Sequence, residues 1–398
     1  MAEDNLGAYN IEDLRRMAKR KLPRGIFEFV DRGAEDEVAL RNNRAAFESI
    51  KLKSHVLANV STRSLETSIF GKTIKMPFAI APTGTAGLLT YGGEVGLAKA
   101  AAKAGIPCTL ATNAMTPMEE IVEEASGELW FQLYMWSDKA LSLKFVERVK
   151  SVGFETLIVT VDGPVAPNRE YNRRNGFEVP LKYTPRLLAQ LLAKPGWLAT
   201  CLLRQFIQRG VPKFENYPPE LMDSLMSKNF KRSSLKNDTL TWDDLKALRD
   251  AWPGNLIVKG ILNCDDAAMA ADCGADGVIV SNHGGRYLDS SVATIQILPE
   301  IAARVGDRMT VIVDSGFRRG SDVIKALALG ADLVMAGRPT LYGAAAAGEA
   351  GAYRALEIFG EEMDRVMALL GLHSVDEIGH DCLWQPPSTA EHIREAAE

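Results

Sequence analysis

The run SNHGGRYLD at 281–289 follows a short apolar stretch and carries the sharpest chemical signal in the chain. An imidazole at a strand end can act as a general base near neutral pH, and a guanidinium nearby can hold an anion beside it. His283 and Arg286 fill these two places, and the glycines between them let backbone approach a ligand closely. Two further runs, DSGFRRGSD (314–322) and AGRPTLYG (336–343), set Gly and Arg where a strand gives way to a helix. Helix N-termini with a cation alongside bind phosphate, so Gly316, Arg318, Gly337 and Arg338 point to a phosphorylated cofactor. Lys259, in VKG, suits a Schiff-base former, a phosphate ligand or a fixed charge beside a cofactor. In TVDGPVAPNRE, Asp162 can orient a histidine across a shared mouth, and Arg169 can bind an anionic substrate. Each residue also has a plainer use, as a solvated turn histidine, a surface ion pair or a strand-end lysine reaching water.

Such residues act together only if a fold gathers them. Eight apolar runs recur along the chain: MPFAIAP (76–82), IPCTLAT (106–112), LWFQLY (129–134), TLIVTVD (156–162), NLIVKG (255–260), DGVIVSN (276–282), TVIVD (310–314) and DLVMAG (332–337). Amphipathic stretches such as EVGLAKAAAKAG, DKALSLKFVERVKSVG and SDVIKALALG lie between them. Near-continuous apolar strands alternating with helices predict a parallel sheet covered by helices, and eight units close a barrel. A doubly wound open sheet would normally begin with a Gly-rich dinucleotide turn, and no GxGxxG joins a strand to a helix here. The predicted fold is therefore α/β, a TIM (β/α)8 barrel. Its mouth would be ringed by Thr83, Thr112, Gln132 with Tyr134, Thr160 with Asp162, Lys259, Ser281 with His283, Asp314 and Arg338. Residues 1–75 are expected to form an N-terminal helical segment and residues 76–372 the barrel, with a long insert at 163–240 after strand 4. Residues 373–398 are expected to form a C-terminal arm.

Composition narrows the partners. Among 398 residues, 46 Lys+Arg against 51 Asp+Glu leave a net charge of −5, without the basic surplus that nucleic-acid binding needs. The chain is 46% hydrophobic and 24% charged, which excludes extensive disorder. Five cysteines form no CxxC pair, so neither a disulfide framework nor a metal site is expected. The charged N-terminus lacks an apolar core, no long uncharged apolar run follows, and a cytoplasmic protein is expected. One segment qualifies this. Residues 185–210 are leucine-rich and split by Pro195-Gly196. They carry Arg186, Lys194, Arg204 and Arg209, with no acid between Glu178 and Glu215. That pattern predicts a segment lying in an anionic membrane interface on its inner face, with a lid or subunit contact as the alternative.

With RGAEDE, APTG, WFQLY, TVDGP, VKG, SNHGGR, DSGFRRGSD and AGRPTLYG in this order, the chain resembles the FMN-dependent 2-hydroxy acid oxidases and dehydrogenases over residues 9 to 385. FRRGSDVIKALALGA and GRPTLYG look most like the mandelate dehydrogenase branch. The resemblance implies that His283 takes the substrate hydroxyl proton, with Asp162 stabilising its imidazolium. Arg169, Arg286 and Tyr134 would bind the hydroxy acid, and Lys259 would face the flavin where reduction builds negative charge. Pro82, Thr83, Gly84, Gln132, Thr160 and Ser281 match flavin contacts, Asp314 the ribityl chain, and Gly316, Arg318, Gly337 and Arg338 the phosphate. Three positions depart from the pattern. Phe29 stands where a tyrosine is usual, Ala111 where many relatives carry serine near the flavin, and Asn113 where glycolate oxidases carry tryptophan. The last change should open space for a larger substrate side chain. The implied reaction is oxidation of an (S)-2-hydroxy acid, mandelate-like or otherwise bulky, to the 2-keto acid by a homotetramer. A membrane quinone is the expected acceptor, with O2 the alternative. A barrel aldolase using Lys259 as Schiff base, or a membrane-attached scaffold without activity, are the competing readings.

Overall fold

The computed structural model describes residues 6–177, 184–221 and 237–384. Three helices come first: α1 (Ile11–Lys21), α2 (Arg24–Asp31) and α3 (Val38–Ser49). Asn10 caps α1 by accepting from the Asp13 amide, and acids in its first turn and bases in its last complement the helix dipole.

The eight apolar runs form the strands β1 (Phe78–Ile80), β2 (Cys108–Ala111), β3 (Leu129–Leu133), β4 (Thr156–Thr160), β5 (Asn255–Ile261), β6 (Gly277–Val280), β7 (Thr310–Val313) and β8 (Leu333–Ala336). They pair in parallel in chain order, and β8 returns to β1 through Val334↔Phe78 and Ala336↔Ile80 to close the barrel. Both faces of these strands are covered, which is why they read as unbroken apolar runs rather than as alternation. Helices Gly93–Ala104, Lys139–Val152, Trp242–Ala251, Cys264–Asp272, Thr294–Val305 and Gly320–Ala328 lie outside, and Gly105 and Gly153 end the first two in left-handed conformation.

The barrel interior has two unlike ends. At the N-terminal end, Trp130, Ile158, Ile257, Ile279, Ile312 and Leu333 pack with Ile69 and Ile74 in one buried cluster. The last two belong to an antiparallel hairpin, Thr67–Ile69 with Lys72–Ile74, that plugs the barrel. The segment before β1 is thus not wholly helical, as the sequence reading expected. TSIFGKTI carries a two-residue turn at Phe70-Gly71 with φ of 47° and 75°, the geometry that favours a hairpin. A second short pair joins Lys51–Leu52 to Leu383–Trp384.

After β4 the chain passes through helices Glu170–Asn175 and Pro185–Leu192. A third helical run begins at Pro195–Trp197 and continues through a π-helical stretch, Leu198–Leu203, into Arg204–Arg209. Trp197, Cys201 and Leu187 anchor this insert inward, and the Trp197 indole donates to the Leu88 carbonyl at 3.0 Å. Among the described residues, no helix is long and apolar enough to cross a membrane.

Candidate active site

The C-terminal mouth of the barrel opens into a cavity of about 340 Å3 lined by strand ends and by α2. Every site residue expected from the sequence lines it except Asp162 and Ser281, which stand just behind its wall.

His283 leaves β6 with φ of 56°, and Gly284 and Gly285 continue the left-handed turn at 66° and 70°. A non-glycine residue held there costs on the order of 1–3 kcal/mol and persists only when its surroundings fix it. Its Nδ1 lies 3.0 and 3.1 Å from the two Asp162 carboxylate oxygens, across the mouth from β4. A bulge makes this approach possible: the β5–β6 register shifts between Lys259 and Ile261, and a Cβ at Gly260 would stand 2.5 Å from the Asp162 Cβ. The Tyr134 hydroxyl sits 3.5 Å from Nε2, and the Tyr287 ring meets the imidazole edge-on at 4.7 Å.

Burial pushes the His283 imidazole below its ordinary value; Lys259 and Arg169 act the same way, and Asp162 only partly offsets them. Burial would raise Asp162, but its contact with His283, with Lys259 behind, holds its carboxyl below the usual range. An imidazole held below its ordinary value can donate Nδ1–H to this carboxylate, which would leave the Nε2 lone pair facing the cavity.

Cations surround it. The half-buried Arg169 guanidinium donates to the Arg286 carbonyl at 3.4 Å, lies 5.8 Å over the Tyr287 ring, and is pushed down to about 9 by burial and by Arg286. Arg286 donates to the Phe29 carbonyl at 2.6 Å and lies over the Phe29 ring at 5.2 Å. Phe29 has no hydroxyl to offer a substrate; its ring instead supports the guanidinium. The Lys259 ammonium is fixed between the Ser281 hydroxyl at 2.7 Å and the Asp314 carboxylate at 2.8 Å. Ser281 also accepts from the His283 amide at 3.1 Å, so its hydroxyl holds two site residues in place rather than facing the cavity.

Gly316, Arg318, Gly337 and Arg338 meet at the starts of helices Gly320–Ala328 and Arg338–Leu370. Three donors of Arg338 are already used by the carbonyls of Val30, Gly284 and Arg32 at 2.9, 2.8 and 3.1 Å, so it straps α2 to the His283 turn. Burial pushes Arg338 down to about 10, a setting that favours a nearby anion.

Two buried groups on the wall lack any protein partner: Gln132 Nε2 and Thr160 Oγ1. Such orphans are costly unless a ligand satisfies them, and they suit the polar edge of a planar heterocycle. With cationic helix ends at one side and Lys259 at the other, the cavity fits a phosphorylated ring cofactor. Among the described residues, no group of three or more His, Cys, Asp or Glu side chains could hold a metal.

The sequence reading missed residues contributed from a distance. Tyr217, from the insert, donates to Asn113 Oδ1 at 2.7 Å, and Phe214 lines the cavity beside it. The space expected at Asn113 is therefore partly taken by the insert. Tyr287 lay within the quoted SNHGGRYLD run, so its place was available from the sequence. Nothing local marks Tyr217.

Fold and site together define a (β/α)8-barrel enzyme that pairs an acid–base dyad with a phosphate-anchored organic cofactor. Residues 18–385 match the model of the FMN-dependent dehydrogenases, and the chain belongs to that family. It is similar to the (S)-mandelate dehydrogenase of Pseudomonas putida, 37% identical over 94% of this chain and 93% of that one. It is also similar to an L-lactate dehydrogenase of Pseudomonas aeruginosa, 39% identical over 93% and 97%. Among solved structures, the monotopic membrane protein (S)-mandelate dehydrogenase superposes with a TM-score of 0.89 at 37% identity, covering 95% of this chain and all of that one. The protein is a flavoprotein oxidoreductase that uses FMN and acts on the CH–OH group of 2-hydroxy acids.

Proposed function

We propose that the enzyme oxidises an (S)-2-hydroxy acid with a bulky, mandelate-like side chain to the 2-keto acid and delivers the electrons to a membrane quinone. The observation that carries the reaction is His283, held 3.0 Å from Asp162 and facing a cavity that also holds the guanidiniums of Arg169 and Arg286. Arg169 and Arg286 would hold the substrate carboxylate, and the Tyr134 hydroxyl would donate to its hydroxyl oxygen. His283 Nε2 then takes the hydroxyl proton, and Asp162 stabilises the imidazolium that results. FMN, when bound, supplies the two-electron acceptor. Gln132 and Thr160 would meet its ring edge, Lys259 would balance negative charge there, and the glycines and Arg318 of the helix ends would hold its phosphate. An ion-paired Lys259 does not favour a Schiff-base aldolase, which needs an amine free of its proton.

For substrate choice, the Asn113–Tyr217 wall and Phe214 offer an aromatic face with one polar edge. Comparing kcat/KM for (S)-mandelate, L-lactate and glycolate tests this. Mandelate should lead, and a clear glycolate preference overturns the reading.

The insert supports the membrane acceptor. Leu188, Leu192, Leu203, Phe206 and Ile207 are exposed on helices whose inner faces are anchored to the barrel. Its charges contribute less than the sequence suggested: Arg209 pairs with Glu120, Arg204 lies over Tyr91, and Lys194 donates to the Arg20 carbonyl. Adhesion would rest chiefly on apolar burial, ~1.5–3 kcal/mol per large side chain. Replacing Leu203, Phe206 and Ile207 with serine should abolish flotation with anionic vesicles while sparing turnover with a soluble dye. Failure of the unaltered protein to bind vesicles, with efficient turnover on O2, would overturn this part.

A further inference from the structure

Two asparagines far apart in sequence meet under the His283 turn. Asn43 Nδ2 on α3 donates to Asn282 Oδ1 at 2.9 Å, and Asn282 Nδ2 donates back to Asn43 Oδ1 at 2.7 Å. Both are buried, at 1% and 5% exposure. Asn282 Oδ1 also accepts from the Gly285 amide at 3.1 Å, and its Nδ2 donates to the Val292 carbonyl at 3.1 Å. The side chain of Asn282 thus spans the three left-handed residues that carry the imidazole. Burying two amides against each other gains little stability over an apolar pair of the same shape. What reciprocal bonds add is a single orientation.

The same helix backs the phosphate loop. Gly316, at φ of 91°, lies so close that a Cβ there would stand 3.0 Å from the Asn43 carbonyl oxygen. Next along α3, Arg44 donates to the Gly316 carbonyl and to the Asp322 carboxylate, both at 2.6 Å. One turn of α3 therefore touches both the loop carrying the base and the loop at the helix ends.

We propose that Asn43 is a positioning residue for the reaction: through Asn282 it fixes the left-handed turn that aims His283 Nε2 into the cavity, and it ties that turn to the phosphate loop. This rests on His283 being the base. Misplacing a catalytic group by about 1 Å can cost roughly 100-fold in rate.

The test uses the full-length FMN-loaded enzyme with (S)-mandelate and L-lactate as probes. Asn43→Ala and Asn282→Ala should each lower kcat and the rate of flavin reduction by roughly 10- to 100-fold, with KM changed far less and FMN retained. The double variant should be no slower than the worse single one, because both remove the same contact. Asn43→Asp keeps an acceptor for the Asn282 amide and should recover part of the rate; it also serves as the readout if Asn43→Ala does not fold. Near-normal kcat with only a lower melting temperature, or losses that multiply in the double variant, would overturn the proposal. His283→Gln separates the two claims. If it is inactive while Asn43→Ala and Asn43→Asp behave as the unaltered enzyme, only the positioning role fails. If it turns over normally, the base assignment fails and the positioning role with it.

Discussion

The two ends of the barrel are built from the same eight strands yet could hardly differ more. At the N-terminal end Ile69 and Ile74 of the hairpin close over Trp130, Ile158 and Ile257, and the interior is apolar. At the C-terminal end a lysine, an aspartate, a histidine and two orphaned polar groups face one cavity. The closed end supplies cohesion, and the open end concentrates groups that are individually unfavourable to bury. A left-handed histidine, guanidiniums that meet carbonyls rather than carboxylates among the described residues, and an unsatisfied amide are tolerable because the other end and the outer helices hold the frame.

The sharpest break of this contrast is His283→Gln. Turnover should fall by ~10²–10⁴-fold, the range of general-base loss, while FMN and melting temperature change little. Rapid flavin reduction by substrate in that variant would remove the base assignment. The matching change at the closed end is Ile74→Ala. It should cost ~2–5 kcal/mol in denaturant unfolding and leave kcat of the folded enzyme near normal. Comparable damage to kcat would show that the ends are not separate in function.

A smaller effect sharpens the open end. Gln132→Leu removes the orphaned amide, so FMN affinity should weaken by roughly 10-fold while the apo protein loses no stability. Flavin release on dilution and thermal melts of both forms measure this. The smallest concerns pH. Because His283 sits below its ordinary value, kcat/KM should fall only as pH drops below about 6.5, where protonation removes the base. Asp162 is what raises that imidazole, so Asp162→Asn should move the acid limb to lower pH while also lowering kcat. A limb that moves upward would contradict the assigned pair.

The residues themselves carried a great deal. Eight apolar runs of strand length, each followed by an amphipathic stretch, imposed the parallel barrel, because a strand covered on both faces must be apolar throughout. The polar residue at the end of each run, from Thr83 to Arg338, then had to lie on one rim, since parallel strands in a closed ring share a single C-terminal end. Other features existed only once the chain had closed. The 3.0 Å contact of His283 with Asp162 depends on barrel closure and on the bulge at Gly260. The hairpin plug depended on a two-residue turn inside a segment dominated by helices. Tyr217 reaching Asn113, and Asn43 reaching Asn282, join segments more than a hundred residues apart. Local periodicity reports which face of an element is buried, and it is silent on which distant side chain arrives to bury it. That choice belongs to the packed structure, where a loop or helix settles wherever its polar groups find partners and its apolar ones find cover.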